Sequence, residues 1–547
     1  MRDRIAVLFL SVAIIGAILF WIGALYVAAT EPVPDRGGQY TEGIVGQPQY
    51  INPLLSPANM ADSDLVQVLY SGLFGYDENG RVVPQLAEKY ALSEDGKTYT
   101  VTLRSGVKWH DGTDLSSGDV VFTVNAVRDP AYRSPLRQNW QGVEVSAPDA
   151  RTVVFTLKKP YFGFLEHLTL GILPRHIWES IAPDRFALAE ANLNPVGSGP
   201  YRFFDYQKDS SGNILSYSLR AFPEYFAGEA HITKLSFNFY PDEESMIDAY
   251  EKKEIIGMSP VSVDRGAALS EKKGTSVRDF HIPQVYGVFF NTSRSVPLAY
   301  TEVRAALARA VDREALVRDV LRGRGTIATS PLLFFMEGGE PSGASYDPDA
   351  ANRLLDEKGW KRGADGIRAK DGIVLQFEMT VPDLPELLTT MEALKKSWEG
   401  IGARVTTRVL SLPELNQNII RGREYDALLY GEKTSVNPDF YSFWHSSEKS
   451  ESGLNLSLFN DAEADDLLFK LREEGNADAH RTLMRSFLDI IAEKNPAVFL
   501  YSPSVSYIFS TTIKGVDIST INTPSGRLGD MEKRYIKTKR VWKNKEK

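Results

Sequence analysis

Residues 69–124 read LYSGLFGYDENGRVVPQLAEKYALSEDGKTYTVTLRSGVKWHDGTDLSSGDVVFTV, and the hydrophobic period changes along them. Leu65, Val68, Leu69 and Leu73 recur at helical spacing over 64–74, after which Asn79-Gly80 turns the chain. Asp95-Gly96 is a hairpin signal. On the strand that follows, Tyr99, Val101 and Leu103 alternate with Thr98, Thr100 and Thr102, so half of it faces a core. Ser116 with Asp119 three residues on has the form of a capping box, and Val120, Val124 and Val127 continue a helical apolar face.

The same signals extend in both directions. Residues 39–45 form a strand that leads into a loop punctuated by Pro48, Pro53 and Pro57, and residues 152–157 form another after a Pro148-Asp149 turn. NPVGSGPY at 194–201 excludes either regular element and marks a crossover between lobes. A helix starts at Thr301 and buries Val303, Leu307 and Val311, and Asp312 caps a second. Asp347-Pro348 starts another helix, which Gly359 ends. A strand at 373–381, a helix at 384–398 and a strand at 403–410 make a βαβ unit with parallel pairing. No fixed-period repeat or low-complexity tract interrupts the chain.

At 547 residues and 43% hydrophobic content, the chain divides into two or three lobes. A net charge of -9 argues against nucleic acid as a partner. There is no cysteine, hence no disulfide, thiolate metal site, Cys nucleophile or lipid-modified Cys. Residues 5–29 carry no charge. As a helix rising about 1.5 Å per residue they would span roughly 37 Å. Arg2 and Arg4 precede them and Glu31 and Asp35 follow, which keeps the N-terminus cytoplasmic and the bulk outside. The segment is longer than a signal peptide's apolar region and reads as an uncleaved transmembrane anchor. Val27, Ala28 and Ala29 keep a cleaved signal open as the alternative, and both place the domain outside the cytoplasm. Pro32, Pro34, Gly37 and Gly38 read as a tether.

The 69–124 stretch resembles, segment by segment, the oligopeptide- and dipeptide-type solute-binding proteins of ABC transporters, the extracellular solute-binding family 5. PVGSGPY at 195–201, FFNTS at 289–293, VRAALARAVDREALV at 303–317, YDPDAANRLLDEKGW at 346–360 and NPDFYSFWHSS at 437–447 continue the likeness over 37–540. The resemblance implies a two-lobed α/β fold of the periplasmic-binding-protein (Venus flytrap) type, with an extra domain inserted in the first lobe. Carried onto this chain, the anchor and tether take 1–35. The first lobe takes 36–57, 192–283 and 496–540; the inserted domain 58–191; the second lobe 284–495; and a basic tail 541–547. The ligand would lie between the lobes as an added strand, held by main-chain hydrogen bonds, and hinge closure would bury it.

The expected ligand-facing residues are Gln47, Tyr50 and Asn52 from the first lobe and Tyr286, Gly431, Glu432, Thr434, Asn437, Phe440 and Trp444 from the second. Aromatic residues at such positions more often serve a core. Peptide-binding members resembling this chain often hold the ligand's α-amino group with an Asp four residues before the loop proline, here Pro438. That position is Thr434. Either Glu432 or another acid substitutes, or the free amine is not read there.

Other motifs have plainer readings. Trp109, His110 and Asp111 lie in WHDGT, a structural segment in the family; the remaining histidines show no zinc spacing. GRGTIA at 323–328 follows a helix rather than a strand, against a dinucleotide fingerprint, and no GxSxG elbow occurs. Eight Lys or Arg residues in 533–547 make a basic terminus, solvated or facing acidic polymer or headgroups. The expected function is an extracytoplasmic receptor, not an enzyme, without cofactor or metal. It would act as a monomer and pass short peptides to a permease with its ATPase subunits. A same-fold receptor for an oligosaccharide, opine or metal chelate is the rival.

Overall fold

The computed structural model describes residues 2–161, 163–333, 343–434, 439–450 and 453–543. On the strand Thr98–Leu103 the alternating side chains Tyr99, Val101 and Leu103 are buried. This strand pairs antiparallel with Ala87–Leu92 and Thr152–Leu157, and the latter with Val143–Asp149, giving a four-stranded sheet. The helix Ser117–Arg128 places Val120, Val124 and Val127 in the same core, and its start is fixed as expected: the Ser116 N–H donates to Asp119 Oδ2 at 2.8 Å.

A second, twelve-stranded sheet runs through the molecule. In its first half Gln39–Val45 pairs in parallel with Lys234–Tyr240 and Gly257–Val261. In its second half Gln376–Pro382 pairs in parallel with Arg404–Leu410 and Ala427–Lys433, with the helix Pro385–Gly400 between the first two, as the βαβ pattern predicts. One strand, Ala497–Ser510, joins the halves. Tyr501 opposes Tyr286 on Gln284–Phe290, and Ser504 opposes His281 on Thr275–His281. The chain therefore crosses between lobes at 281–284 and at 501–504.

Each half has its own core. In the second lobe the sheet is buried on both faces: Ala427 and Leu429 pack on one side, Leu428 and Tyr430 on the other. That explains the unbroken apolar run ALLY, which a half-exposed strand would interrupt with polar residues. The segment 194–201 does not cross between lobes; it is an irregular stretch leading into the strand Tyr201–Lys208, and His110 holds it. Its Nδ1 accepts from the Gly197 N–H at 3.0 Å, and its Nε2 is 3.0 Å from the Gly199 carbonyl. Gly197 is required there, since a Cβ would sit 1.8 Å from the Leu69 carbonyl oxygen. Beneath, Arg527 is fully buried between Glu42 and Asp64, tying the C-terminal segment to the strand Gln39–Val45 and to the helix Met60–Leu69.

Two expectations about the termini change. The apolar N-terminus is helical over Arg2–Ala29, but among the described residues no helix is long and apolar enough to cross a membrane. The single-span anchor in the expected fold is corrected on that finding. The tether is a strand, Thr30–Asp35, paired antiparallel with Lys537–Trp542 from Thr30↔Trp542 to Asp35↔Lys537. Arg540 Nη2 donates to the Val27 and Thr30 carbonyls at 2.8 and 2.9 Å. Local patterning reports neither strand, because each depends on a partner at the other end of the chain; prolines at 32 and 34 suit an edge position.

Candidate functional site

Strand directions place the site. Ala427–Lys433 runs toward the hinge at its carboxyl end, as do its parallel neighbours Gln376–Pro382 and Arg404–Leu410; Gln39–Val45 runs toward the same hinge from the first lobe. In open α/β sheets the crevice outside the carboxyl ends of parallel strands is where ligands bind.

At this end of the second lobe Gly431, Tyr286 and Tyr501 lie side by side across three strands. The Tyr286 ring covers Gly431, where a Cβ would meet ring carbon Cε1 at 2.8 Å. The Tyr286 and Tyr501 rings are 5.7 Å apart, the Tyr501 and Thr390 hydroxyls are 2.7 Å apart, and Gln284 Nε2 donates to the Tyr286 hydroxyl at 3.2 Å. Burial foremost pushes both phenols above their ordinary range; the negative charge of Glu386 is the next cause at Tyr286, while at Tyr501 the Thr390 hydrogen bond opposes the shift. Thr434 donates its N–H and its hydroxyl to the Pro283 carbonyl, at 2.7 and 3.2 Å, inside the crossing 281–284.

The remaining residues fall elsewhere. Glu432 points to the opposite face of the sheet, is 5% exposed, and among the described residues has no hydrogen-bond partner at Oε1; burial holds its carboxyl well above the usual range. Phe440 is buried against Phe487 at 5.7 Å, and Trp444 between Phe289 and Phe499 at 6.2 and 5.8 Å, within a core. Asn437 lies outside the described residues. In the first lobe Gln47 Oε1 accepts from the Ile214 N–H at 2.9 Å. Asn52 is fully buried, accepting from the Leu54 N–H at 2.9 Å and donating to Asn192 at 3.2 Å. Both hold the loop in place, and Tyr50 is half-buried on it. Sequence reasoning missed Gln284, Glu386, Thr390 and Tyr501; none carries a local signal, since Glu386 in the first turn of a helix reads simply as favourable to the helix dipole.

The lobes touch. The Lys159 ammonium lies 5.5 Å from the Phe469 ring centroid. A cavity of ≈ 550 Å³ is lined by Gln138, Tyr161 and His167 on one side and Asp439, Tyr441 and Arg472 on the other. Arg472 Nε is 3.0 Å from both Asp439 oxygens, and its guanidinium stacks 3.8 Å from the Tyr441 ring centroid. Among the described residues no group of three or more potential ligands could hold a metal. GRGTIA supplies a strand, Gly325–Ile327, paired to 501–503.

Two sheet halves with separate cores, joined by crossing strands and facing each other across carboxyl-terminal edges, define a two-lobed solute receptor. Residues 81–453 match the bacterial extracellular solute-binding proteins, family 5 (middle region), and the chain belongs to this family. It is a binding protein, not an enzyme. It is 28% identical over 497 residues to the oligopeptide-binding protein AppA of Bacillus subtilis (strain 168), covering 88% of this chain and 89% of that one. The structure of Bacillus subtilis AppA in complex with a nonapeptide has a TM-score of 0.67 at 25% identity, covering 92% and 99% of the two chains. NikZ from Campylobacter jejuni, in complex with Ni(L-His), has a TM-score of 0.72 at 24% identity, covering 91% and 99%, a likeness of fold.

Proposed function

We propose that the chain is the extracytoplasmic receptor of an ABC importer, which binds short peptides between its lobes and delivers them to a permease. The observation that carries this reading is the hinge: parallel strands from both lobes end at the same crossing, so ligand added there touches both halves and favours closure. The likeness to an oligopeptide-binding protein over most of both chains supports peptide as the ligand class. The lobe boundaries proposed are 36–57, 192–283 and 496–540 for the first lobe, 58–191 for the insertion and 284–495 for the second. One copy supplies both walls, so capture needs no second chain. The ligand-facing residues proposed are Tyr50, Tyr286, Gly431 and Asn437. Gln47, Asn52, Thr434, Glu432, Phe440 and Trp444 shape and support these.

Native mass spectrometry of protein purified from cells tests the ligand class: a ladder of short peptides is expected. A single non-peptide mass would favour the second reading, a same-fold receptor for another solute such as a metal chelate. Thr434 favours that reading, because it puts no carboxylate where resembling peptide receptors often have one. Small-angle scattering tests the mechanism, and saturating ligand that leaves the dimensions unchanged would contradict closure.

A further inference from the structure

We propose that a cavity inside the first lobe and its insertion, distinct from the crevice between the lobes, is a second binding site, for a small uncharged molecule carrying hydroxyl or carboxamide groups. The cavity has a volume of ≈ 470 Å³, within the range of about 300–1,000 Å³ of small-molecule pockets. One wall is the inserted domain, from the end of the helix Met60–Leu69 through the hairpin Phe74–Tyr76 and Val82–Pro84; the other is the C-terminal segment 518–533 with Tyr225 and Phe226. The Ser519 N–H and hydroxyl both donate to the Glu78 carbonyl at 2.9 Å, which clamps the two walls together. Among the described residues, none that lines the cavity falls in 284–495, the proposed second lobe. Lobe closure therefore neither builds this site nor buries its contents.

The lining selects the ligand class. Its charged side chains balance, Asp77 and Glu532 against Arg104 and Lys533. Asp77 Oδ1 accepts from the N–H groups of Asn79 and Arg81 at 2.9 Å each. Arg104 Nε donates to the Gln85 carbonyl at 2.6 Å, and its guanidinium lies 5.9 Å from the Phe226 ring centroid. Burial, foremost, raises the Glu532 carboxyl to about 7, so it is no fixed anion near neutral pH. The buried lining groups that lack a hydrogen-bond partner among the described residues are neutral: the amide oxygen and the amide nitrogen of Asn522, and the Tyr70 hydroxyl. A buried amide with neither its donor nor its acceptor satisfied is costly, and a partner that both donates and accepts removes that cost. A hydroxyl or a carboxamide does both, whereas a carboxylate only accepts and an ammonium only donates. The rings of Tyr76, Tyr225 and Phe226 supply the apolar part of the wall.

The test is calorimetric titration of the full chain with N-acetylglucosamine, a ring that bears hydroxyls and one carboxamide, and with two charged counterparts, glucosamine and glucuronate. N-acetylglucosamine is expected to bind, and each charged counterpart to bind about 10-fold or more weakly. Asn522→Leu and Asn522→Asp, both close to the parent in size, should each weaken N-acetylglucosamine by about 10-fold. Thermal melts of the ligand-free proteins should show both variants folded, with Asn522→Leu no less stable than the parent because it removes an unsatisfied amide. Tyr286→Ala, at the hinge, should leave this binding within about 2-fold. Wild-type protein that does not bind N-acetylglucosamine overturns the site and leaves the cavity to solvent. Equal binding by the parent and both Asn522 variants also overturns it, as does a loss confined to Tyr286→Ala, which would put the sugar in the crevice between the lobes. A charged counterpart that binds as tightly as N-acetylglucosamine overturns the ligand class. Peptide capture is read separately by native mass spectrometry, so the failure of either site leaves the other standing.

Discussion

Arg324 and Asp279 meet across the hinge: Nη1 of Arg324, from the second lobe, reaches both carboxylate oxygens of Asp279, from the first, at 2.7 and 2.6 Å. The Arg324 carbonyl also accepts from the Ser504 N–H at 3.1 Å, and the Ser506 hydroxyl donates to Asp279 at 2.7 Å. One residue thus grips both sides of the crossing. The Arg324 and Asp279 side chains are 12% and 34% exposed, which limits screening without removing it.

We predict that Arg324→Met and Asp279→Asn each favour the open form and weaken ligand binding by about 3- to 10-fold, worth about 1 kcal/mol. The double variant should lose no more than either single one, since both remove the same contact. Scattering profiles and affinities measured on all three check this; additive losses would rule out the pair as a single strut.

Arg527 should be far costlier to remove. Arg527→Met strands the buried carboxylates of Glu42 and Asp64 without their counter-ion. A loss of about 3–5 kcal/mol is expected, read from urea unfolding of ligand-free protein. A loss below about 1 kcal/mol would mean that the two acids find other partners.

His110 predicts a pH dependence. Burial, foremost, lowers its pKa to about 4 from 6.5. Between those values the unfolded chain binds more protons than the folded one, so the stability due to this group is full above about pH 6.5 and is lost as pH falls toward 4. The span corresponds to about 3 kcal/mol at most. Asp62 and Glu532, raised by burial to about 6 and about 7, act oppositely: their folded forms hold protons longer, so stability falls as pH rises through each window. The difference between wild type and His110→Gln isolates the histidine. That difference should shrink on acidification, and a pH-independent difference would refute the assignment.

Thr434→Val keeps the backbone bond to Pro283 and removes the hydroxyl bond. A cost of about 1 kcal/mol is expected, with Thr434→Ser close to wild type. Chemical unfolding checks the order, and a valine variant as stable as the parent would show that the hydroxyl bond adds nothing.

Much of the scaffold was legible because its signals are local. The strand Gln39–Val45, the alternating strand at 98–103, the box at Ser116 and the Asp347 cap, which accepts from the Ala350 N–H at 2.7 Å, depend on neighbours within a few residues. The helix expected over 64–74 instead runs Met60–Leu69, because the Asn59 side chain caps it earlier, accepting from the Ala61 N–H at 2.9 Å. The candidate site was only partly legible. Tyr286 and Gly431 occupy the hinge end, whereas Phe440 and Trp444, close by in sequence, turn into a core. An aromatic residue looks the same in either setting until the opposing helices are in place.

The amino-acid order alone determined the βαβ frame, the irregular stretch at 194–200, the absence of any cysteine chemistry and the likeness to a family of two-lobed receptors. Tertiary structure alone decided that Glu432 faces a core, that Thr434 braces Pro283, that Tyr286 and Tyr501 meet at the hinge, and that residues 30–35 are paired with the far end of the chain. The division has one physical reason. Periodicity and capping act over a few bonds, while the direction of a side chain in a sheet buried on both faces is chosen by packing against residues hundreds of positions away.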